Sequence, residues 1–531
     1  YVVCAKSPLT EAWGEAHASG FWAAELKFAG YDGLIIEGKA GSPVYIQVCD
    51  EDIEVKDASY IWGKGCLESE DFIKQELGEK KTKVACIGPA GEKLVRFAAV
   101  INDGGRAAGR CGMGAVMGSK FLKAIAVQGS KKVAVADSEM LRSTIKRIYP
   151  VIMSFPTTQI QASYGTNGEM EIFHEYGDVP LKHYTMGAWE GIPRIAGEAM
   201  AKAIVKGQRA CLNCPIGCWM YIKIDEGRFA GVEGRGPEYE TVAALGALAL
   251  NDNIESIAKA NELCNHYGID TISTGVAIAF AMECYERRLI NKEDTGGLEL
   301  TWGDYEAILK LVEMIGRREG FGDVLAEGVR KAAQKIGKDA GKYAMHVKGL
   351  EVPMHDPRAF KGMGLQYTTS NRGACHLQGM TLRIEQGERM TDLKIYERVD
   401  RFETKGKGRI VAIMQNWHEI LESMIICKFL MIPPGHVAGL YSMATGITLR
   451  LPELVEVGER IFNIKRLFNV KCGISRKDDV LPERFLHEPL PDGGAKGQVV
   501  ELEEMLNEYY KVRGWSADGA PTKETIKRLK L

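Results

Sequence analysis

The sequence predicts an α+β protein: a β-rich N-terminal base domain over residues 1–134, followed by two mainly α-helical domains over residues 135–345 and 346–531. Three observations lead there. The 531 residues exceed the roughly 250–300 at which a single core stops growing, so the chain divides. Up to about Gly129, apolar residues come in short β-branched runs punctuated by Gly, Asp and Pro. From Asp137 onward they recur at the three-to-four spacing of amphipathic helices.

Within the first region, residues 33–37, 44–48 and 84–87 read as strands. The segment NDGGRAAGRCGMGAVMGSK (102–120) concentrates glycines and reads as a loop. Capped, amphipathic stretches then predict helices over 138–148, 254–266, 270–286 and 302–319. After a loop around 352–358, the third region adds helices over 410–429 and 454–468. No repeat of 20 to 50 residues is visible.

Charge excludes several classes of function. Lys+Arg 68 against Asp+Glu 70, with 45% hydrophobic residues, fits neither a disordered tail nor a nucleic-acid partner. The longest apolar runs, 242–250 and 425–434, fall short of the roughly 20 residues that span a bilayer, so no membrane partner is expected. The chain opens on strand-like residues without an initiator Met or a signal-peptide pattern, which predicts a missing upstream segment. Thirteen cysteines is an odd number, and most stand singly (Cys49, Cys86, Cys264, Cys284). Such thiols suit a reducing, cytoplasmic compartment better than a disulfide framework.

The sharpest motif is ACLNCPIGC, which sets Cys211, Cys214 and Cys218 in a C-x2-C-x3-C run. Three thiolates so close converge on one inorganic centre and leave a fourth ligand to come from far away. Structural zinc sites pair two short knuckles, and no second knuckle exists here. Radical enzymes that use S-adenosylmethionine show the reverse order of spacings. A [4Fe–4S] cluster is the favoured reading, and local spacing leaves its fourth cysteine open. In GPEYET, Pro237 would begin a helix holding Glu238 and Glu240 in its first turn. A helix N-terminus favours the carboxylate, whereas burial raises its pKa toward that of a working base; both residues also suit a plain helix start. The glycine-rich segment, with Arg106 and Arg110, would suit an anionic group.

These segments, with KSPLT from Lys6, ELKFAGYDGLIIEGKA from Glu25, GIDTISTG from Gly268, HDPRAF from His355, NRGACHL from Asn371 and RKDDVLPERF from Arg476, occur in the order found in one family. Across nearly its whole length the chain resembles the aldehyde:ferredoxin oxidoreductases. The resemblance implies a base domain and two helical domains that clasp two pyranopterin dithiolenes around one tungsten (or molybdenum), a [4Fe–4S] cluster nearby, and magnesium bridging the pterin phosphates. Dithiolene sulfurs leave the two metals alike at this level.

Carried over by motif, the family's D-x-x-G-L-C becomes ESMIIC, which makes Cys427 the fourth cluster ligand and Glu422 a pterin contact; Ile425 stands where the family has glycine. The rival Cys472 lies where the family uses no cluster cysteine. The partner motif D-x-x-G-L-D appears as NHYGID and points to Asn265, Gly268 and Asp270 as cofactor-binding. An Asp at position 270 equally suits the N-cap of the helix that follows. Arg106 and Ala107 match positions against the pterin phosphates, and His17 replaces an Asn there. Glu240 and His376 match the family's active-site pair, with His355 and His418 as lesser candidates. Lys259 and Glu262 occupy the positions of a Glu-x-x-His metal site at the family's dimer interface, so that site is expected to be absent.

The implied activity is oxidation of a small aldehyde to a carboxylic acid, with electrons leaving through the cluster to ferredoxin or an iron–sulfur partner subunit. One alternative is a tungsten-dependent reductase of the aromatic acyl-CoA reductase branch. Against it, the helix after Glu240 offers no His for proton delivery, although His418 could serve. A second alternative, motivated by the departures at His17, Asn265 and Ile425, is a non-catalytic iron–sulfur scaffold or electron-transfer subunit. Substrate identity and the choice between homo- and hetero-oligomer stay open.

Overall fold

The computed structural model describes residues 1–78 and 81–531. A six-stranded mixed sheet forms the N-terminal part, in the order Asp52–Asp57, Val44–Cys49, Leu122–Gln128, Lys83–Cys86, Val100–Asn102, Arg106–Ala108. Only Val44–Cys49 and Leu122–Gln128 run parallel; the other neighbours are antiparallel. The central strand reads LKAIAVQ because both of its faces are covered. Its one cation, Lys123, is buried but satisfied by the Lys64 carbonyl and an ion pair with Glu92. Beside the sheet stands the hairpin Val2–Lys6 and Trp13–His17, whose last residue delivers His17 to the interior.

Residues 33–37 form no strand. Ile35 is 93% exposed, and no described strand pairs with this stretch, so its apolar run has no face to bury.

The glycine-rich segment is structured rather than a loop. Gly104 and Gly105, both at positive φ, turn the chain between the paired strands Val100–Asn102 and Arg106–Ala108. Helix Met113–Ser119 follows. Its glycines serve close approach: a Cβ on Gly118 would lie 1.9 Å from the Gly91 carbonyl oxygen, and one on Gly114 would lie 2.4 Å from that of Ala99. Replacing Gly118 with Ala therefore overpacks a helix–backbone contact. The variant is expected to lose about 1–3 kcal/mol, measured as a lower midpoint in thermal unfolding.

Helices dominate from Ser138. Observed elements Ser138–Ser154, Ile254–Tyr267, Thr271–Glu286, Tyr305–Arg317 and Leu451–Lys471 fall where the periodicity places them. Thr271–Glu286 is buried all round from Ile272 to Cys284, which explains its unbroken apolar sequence. Two features depart from the expectation. A three-stranded antiparallel sheet, Val205–Arg209, Trp219–Lys223 and Glu233–Arg235, interrupts the helices and carries the cysteine run in the connection between its first two strands. The helix expected over 410–429 stops at Ser423, because Ile425 turns into the left-handed region at φ +56°.

Candidate active site and cluster centre

One cavity of about 1970 Å³ collects most of the candidate residues. Its wall includes Cys211, Cys214, Cys218 and Cys427, together with His17, Arg106, Ala107, Glu240, His355, His376 and Glu422. Cys427 reaches the wall because the turn at Ile425 ends its helix: Ile425 N–H donates to the Glu422 carbonyl, and Ile426 N–H to that of Leu421. Its thiol lies within electrostatic reach of Cys214 and Cys211, and Cys218 within reach of Cys427 and Cys211. Cys472 caps helix Leu451–Lys471 away from this cavity. Cys4 also borders the cavity, but its charged neighbours are Glu15, Lys465, Cys111 and Glu422 rather than the cysteine run. Four thiols on the wall of one cavity suit a [4Fe–4S] cluster by number and ligand type.

Glu240 sits in the first turn of helix Tyr239–Leu245. The helix begins two residues later than Pro237 suggests, with Glu238 at the N-cap. The two carboxylates are thereby separated in role. Glu238 is held by Arg235 and the Thr166 hydroxyl. Glu240 accepts from Met354 N–H at 2.9 Å through one oxygen and points the other at two histidines, His376 Nε2 at 3.3 Å and His355 Nε2 at 3.6 Å. Burial raises the Glu240 carboxyl above its ordinary range despite His355 and the Met354 N–H. Of the two opposing effects expected from the sequence, burial wins.

His376 is held neutral: burial pushes its pKa well down, and the charges of His355, Arg110 and Arg372 add to this. Gln366 fixes its backbone by donating to the carbonyls of Cys375 and His376. His355 moves the other way. Burial disfavours its charge, but Asp178, with Oδ2 at 2.5 Å from Nδ1, and Glu240 together outweigh burial and raise the ring above its ordinary value. Asp178 carried no signal in the sequence, since it stands in an unremarkable GDVP turn 177 residues from its partner. His418 Nδ1 donates to the Leu377 carbonyl at 2.8 Å, is pushed down to about 3 by burial, and does not line the cavity.

The pterin candidates divide. Arg106, Ala107, His17 and Glu422 border the cavity; Asn265, Gly268 and Asp270 do not. Asp270 is the N-cap of helix Thr271–Glu286, where its carboxylate accepts from Ile272 N–H, Ser273 N–H and the Ser273 hydroxyl and lies 3.6 Å from Arg110 Nε. The capping role weighed from the sequence is the one its hydrogen bonds show. Gly268 ends helix Ile254–Tyr267 at φ +69°, and Asn265 lies against Gly105 in the glycine hairpin. Lys259 and Glu262 pair with each other.

Buried polar atoms without a protein partner mark where a ligand belongs. They include Arg106 Nε and Nη2, Arg235 Nη1 and Arg372 Nε, all on residues of the cavity wall. Unpaired guanidinium N–H groups in a buried wall are costly without an anion to receive them. They fit a large phosphorylated cofactor such as a pterin dithiolene pair. Sequence reasoning missed Arg235 and Arg372, although Arg235 directly precedes GPEYET and Arg372 lies within NRGACHL. Glu15, His17 and Glu422 also bring ligand atoms within 4.8 Å of one another. Lys465 already pairs with Glu15 at 2.6 Å and Lys428 with Glu422 at 2.6 Å, which leaves a divalent cation little to gain there.

Comparison with known proteins agrees with this geometry. The family model for the aldehyde ferredoxin oxidoreductase N-terminal domain matches residues 1–129, and that for domains 2 and 3 of the same family matches residues 143–531. A tungsten-containing aldehyde ferredoxin oxidoreductase of Pyrococcus furiosus is 43% identical, covering 100% of this chain and 86% of the relative. The WOR-like subunit of an aliphatic sulfonate oxidoreductase from the same organism is 32% identical, over 95% of this chain and 81% of the relative. A solved structure of the active-site complex BamBC of benzoyl-coenzyme A reductase with 1,5-dienoyl-CoA superposes with a TM-score of 0.84 at 26% identity, covering 100% of this chain and 86% of that one. With matches of this extent behind the orphaned arginines and the four-cysteine wall, the chain belongs to the aldehyde ferredoxin oxidoreductase family.

Proposed function

We propose that this chain oxidises an aldehyde to a carboxylic acid with oxygen from water. Two electrons and two protons leave per turnover, the electrons singly through a [4Fe–4S] cluster on Cys211, Cys214, Cys218 and Cys427 to ferredoxin or an iron–sulfur partner subunit. The observation that carries the reading is the single cavity shared by the Glu240–His376 pair and the four cysteines in a chain of this family. Tungstopterin, when bound, supplies the two-electron redox chemistry. Arg106, Arg372 and Ala107 would hold its anionic groups, with His17 and Glu422 on its polar edge. Magnesium would add to the charge balance of the cofactor's phosphates near Arg106 and Ala107.

The chain's own residues do the proton work. Glu240, raised by burial, takes a proton from the attacking water. Neutral His376 has one ring N–H to offer the carbonyl oxygen and no charge to compete with Glu240. Among the described residues no helix is long and apolar enough to cross a membrane.

The likeness to benzoyl-coenzyme A reductase keeps a reductive reading in play, and benzoyl-CoA with a strong reductant in an anaerobic assay separates it from aldehyde oxidation. The scaffold alternative is weakened by the orphaned polar groups, which have no purpose in an empty cavity. Elemental analysis of anaerobically purified protein tests the whole reading. About four irons with one tungsten or molybdenum and about two pterins per chain are expected. Zinc alone, or iron without pterin, overturns it.

A further inference from the structure

Beyond the Glu240–His376 pair lies a second, fully interior arrangement. We infer that Asp178 and His355 form a positioning pair that presents a ring cation to Glu240 and so sets the pH at which Glu240 works as a base. The inference rests on the proposed role of Glu240.

The geometry is continuous. Asp178 Oδ2 is 2.5 Å from His355 Nδ1, and the opposite ring nitrogen, Nε2, is 3.6 Å from Glu240 Oε1. That same carboxylate oxygen faces His376 Nε2. All four residues are largely removed from solvent, and Asp178 is fully buried. The ring cannot swing out. Phe173 meets it edge-on at 5.1 Å, Tyr239 packs at 5.1 Å with a 35° tilt, and the Tyr367 hydroxyl donates to the His355 carbonyl. Asp356 N–H donates to the Asp178 carbonyl at 2.7 Å, so the two loops carrying the pair are tied together. The ring orientation is thus over-determined by packing, as a fixed charge next to a base requires.

Other charges face this group and must be weighed. Arg383, on helix Thr381–Glu385, opposes the His355 charge, but its guanidinium is engaged with both oxygens of Glu169. Asp356 and Arg401 act on Asp178 in opposite senses. Asp356 is itself neutralised by Arg358, and Arg401 donates to the carbonyls of Tyr176, Ala359 and Gly494. Around Glu240 the remaining charges are Arg110, which favours the carboxylate, and Asp270, which opposes it; these two lie 3.6 Å apart and largely offset each other. His376 is neutral. His355 is therefore the charge whose loss Glu240 feels most.

Asp178→Asn keeps the hydrogen bond but removes the charge that holds the ring protonated. Glu240 then loses its cation and its carboxyl rises further. The acid limb of the kcat–pH profile moves to higher pH by about one unit or more, in Asp178→Asn and in His355→Gln alike. Asp178→Glu brings it back toward wild type. A second measurement needs no turnover. A His whose folded pKa is raised stabilises the protein below its unfolded value and loses that contribution as pH rises through the folded one. The thermal midpoint gap between wild type and Asp178→Asn is therefore widest below the ordinary His value of about 6.5 and narrows as pH rises above it. A uniform loss of kcat with an unmoved acid limb, or a midpoint gap independent of pH, overturns the inference. Glu240→Gln run in parallel separates the two failures: an active Glu240→Gln sinks the base assignment, whereas an inactive one with an unmoved limb in Asp178→Asn sinks only the positioning pair.

Discussion

Glu240→Gln is expected to lower kcat by about 10²–10⁴-fold, the usual contribution of a general base, while iron, tungsten and pterin content stay at wild-type levels. The substitution is nearly isosteric. Its amide still meets His376 and His355, so binding geometry persists and only the capacity to accept a proton goes. In the wild-type protein, turnover falls on the acid side as Glu240 becomes protonated, and because burial raises that carboxyl the fall begins above the ordinary carboxylate range. The residual activity of the variant lacks this limb. Steady-state kinetics across pH with metal analysis of the same preparations check both points, and near-normal turnover by Glu240→Gln would remove Glu240 from the mechanism.

Cys427→Ala is expected to empty the cluster site. Iron falls well below the four per chain of a complete cubane, and reduction of ferredoxin by aldehyde stops. The physical reason is in the fold. Three of the four thiols come from one short connection between strands Val205–Arg209 and Trp219–Lys223, and the fourth arrives from the end of helix Lys407–Ser423. Without Cys427 the proposed cluster would lack its fourth ligand and its tie to a distant part of the chain. Cys472→Ala, at a helix cap outside the cavity, keeps full iron and serves as the comparison. Iron loss in Cys472→Ala but not in Cys427→Ala would exchange the two assignments.

Much of the fold is written in local pattern. A helix such as Tyr305–Arg317 needs only its own apolar period and its own cap, Asp304, both of which lie within a single window of sequence. The glycine-rich segment shows where local reading stops. Its glycines suggested a loop because permissive φ is their commonest use, yet Gly114 and Gly118 are there so that a helix can lie directly on backbone carbonyls contributed from elsewhere. Ile425 is a similar case. An apolar run argues for continued helix, yet Ile425 turns to φ +56°, closed by the Ile425 and Ile426 N–H bonds to the Glu422 and Leu421 carbonyls, and Cys427 beyond it lines the same cavity as the cysteine run.

The sequence by itself determined the chemistry available: a three-cysteine run at cluster spacing, an acidic helix start at GPEYET, and arginines within a glycine-rich stretch. Only the tertiary structure decided how those groups are used. It gave Glu238 to Arg235 and Thr166, left Glu240 facing two histidines, and made Asp270 a cap paired with Arg110. It also joined Asp178 to His355 across 177 residues. Spacing records ligand sets that lie within one turn or loop, whereas the charge state of a buried group depends on which partners folding brings to within a few ångströms, and no local pattern carries that information.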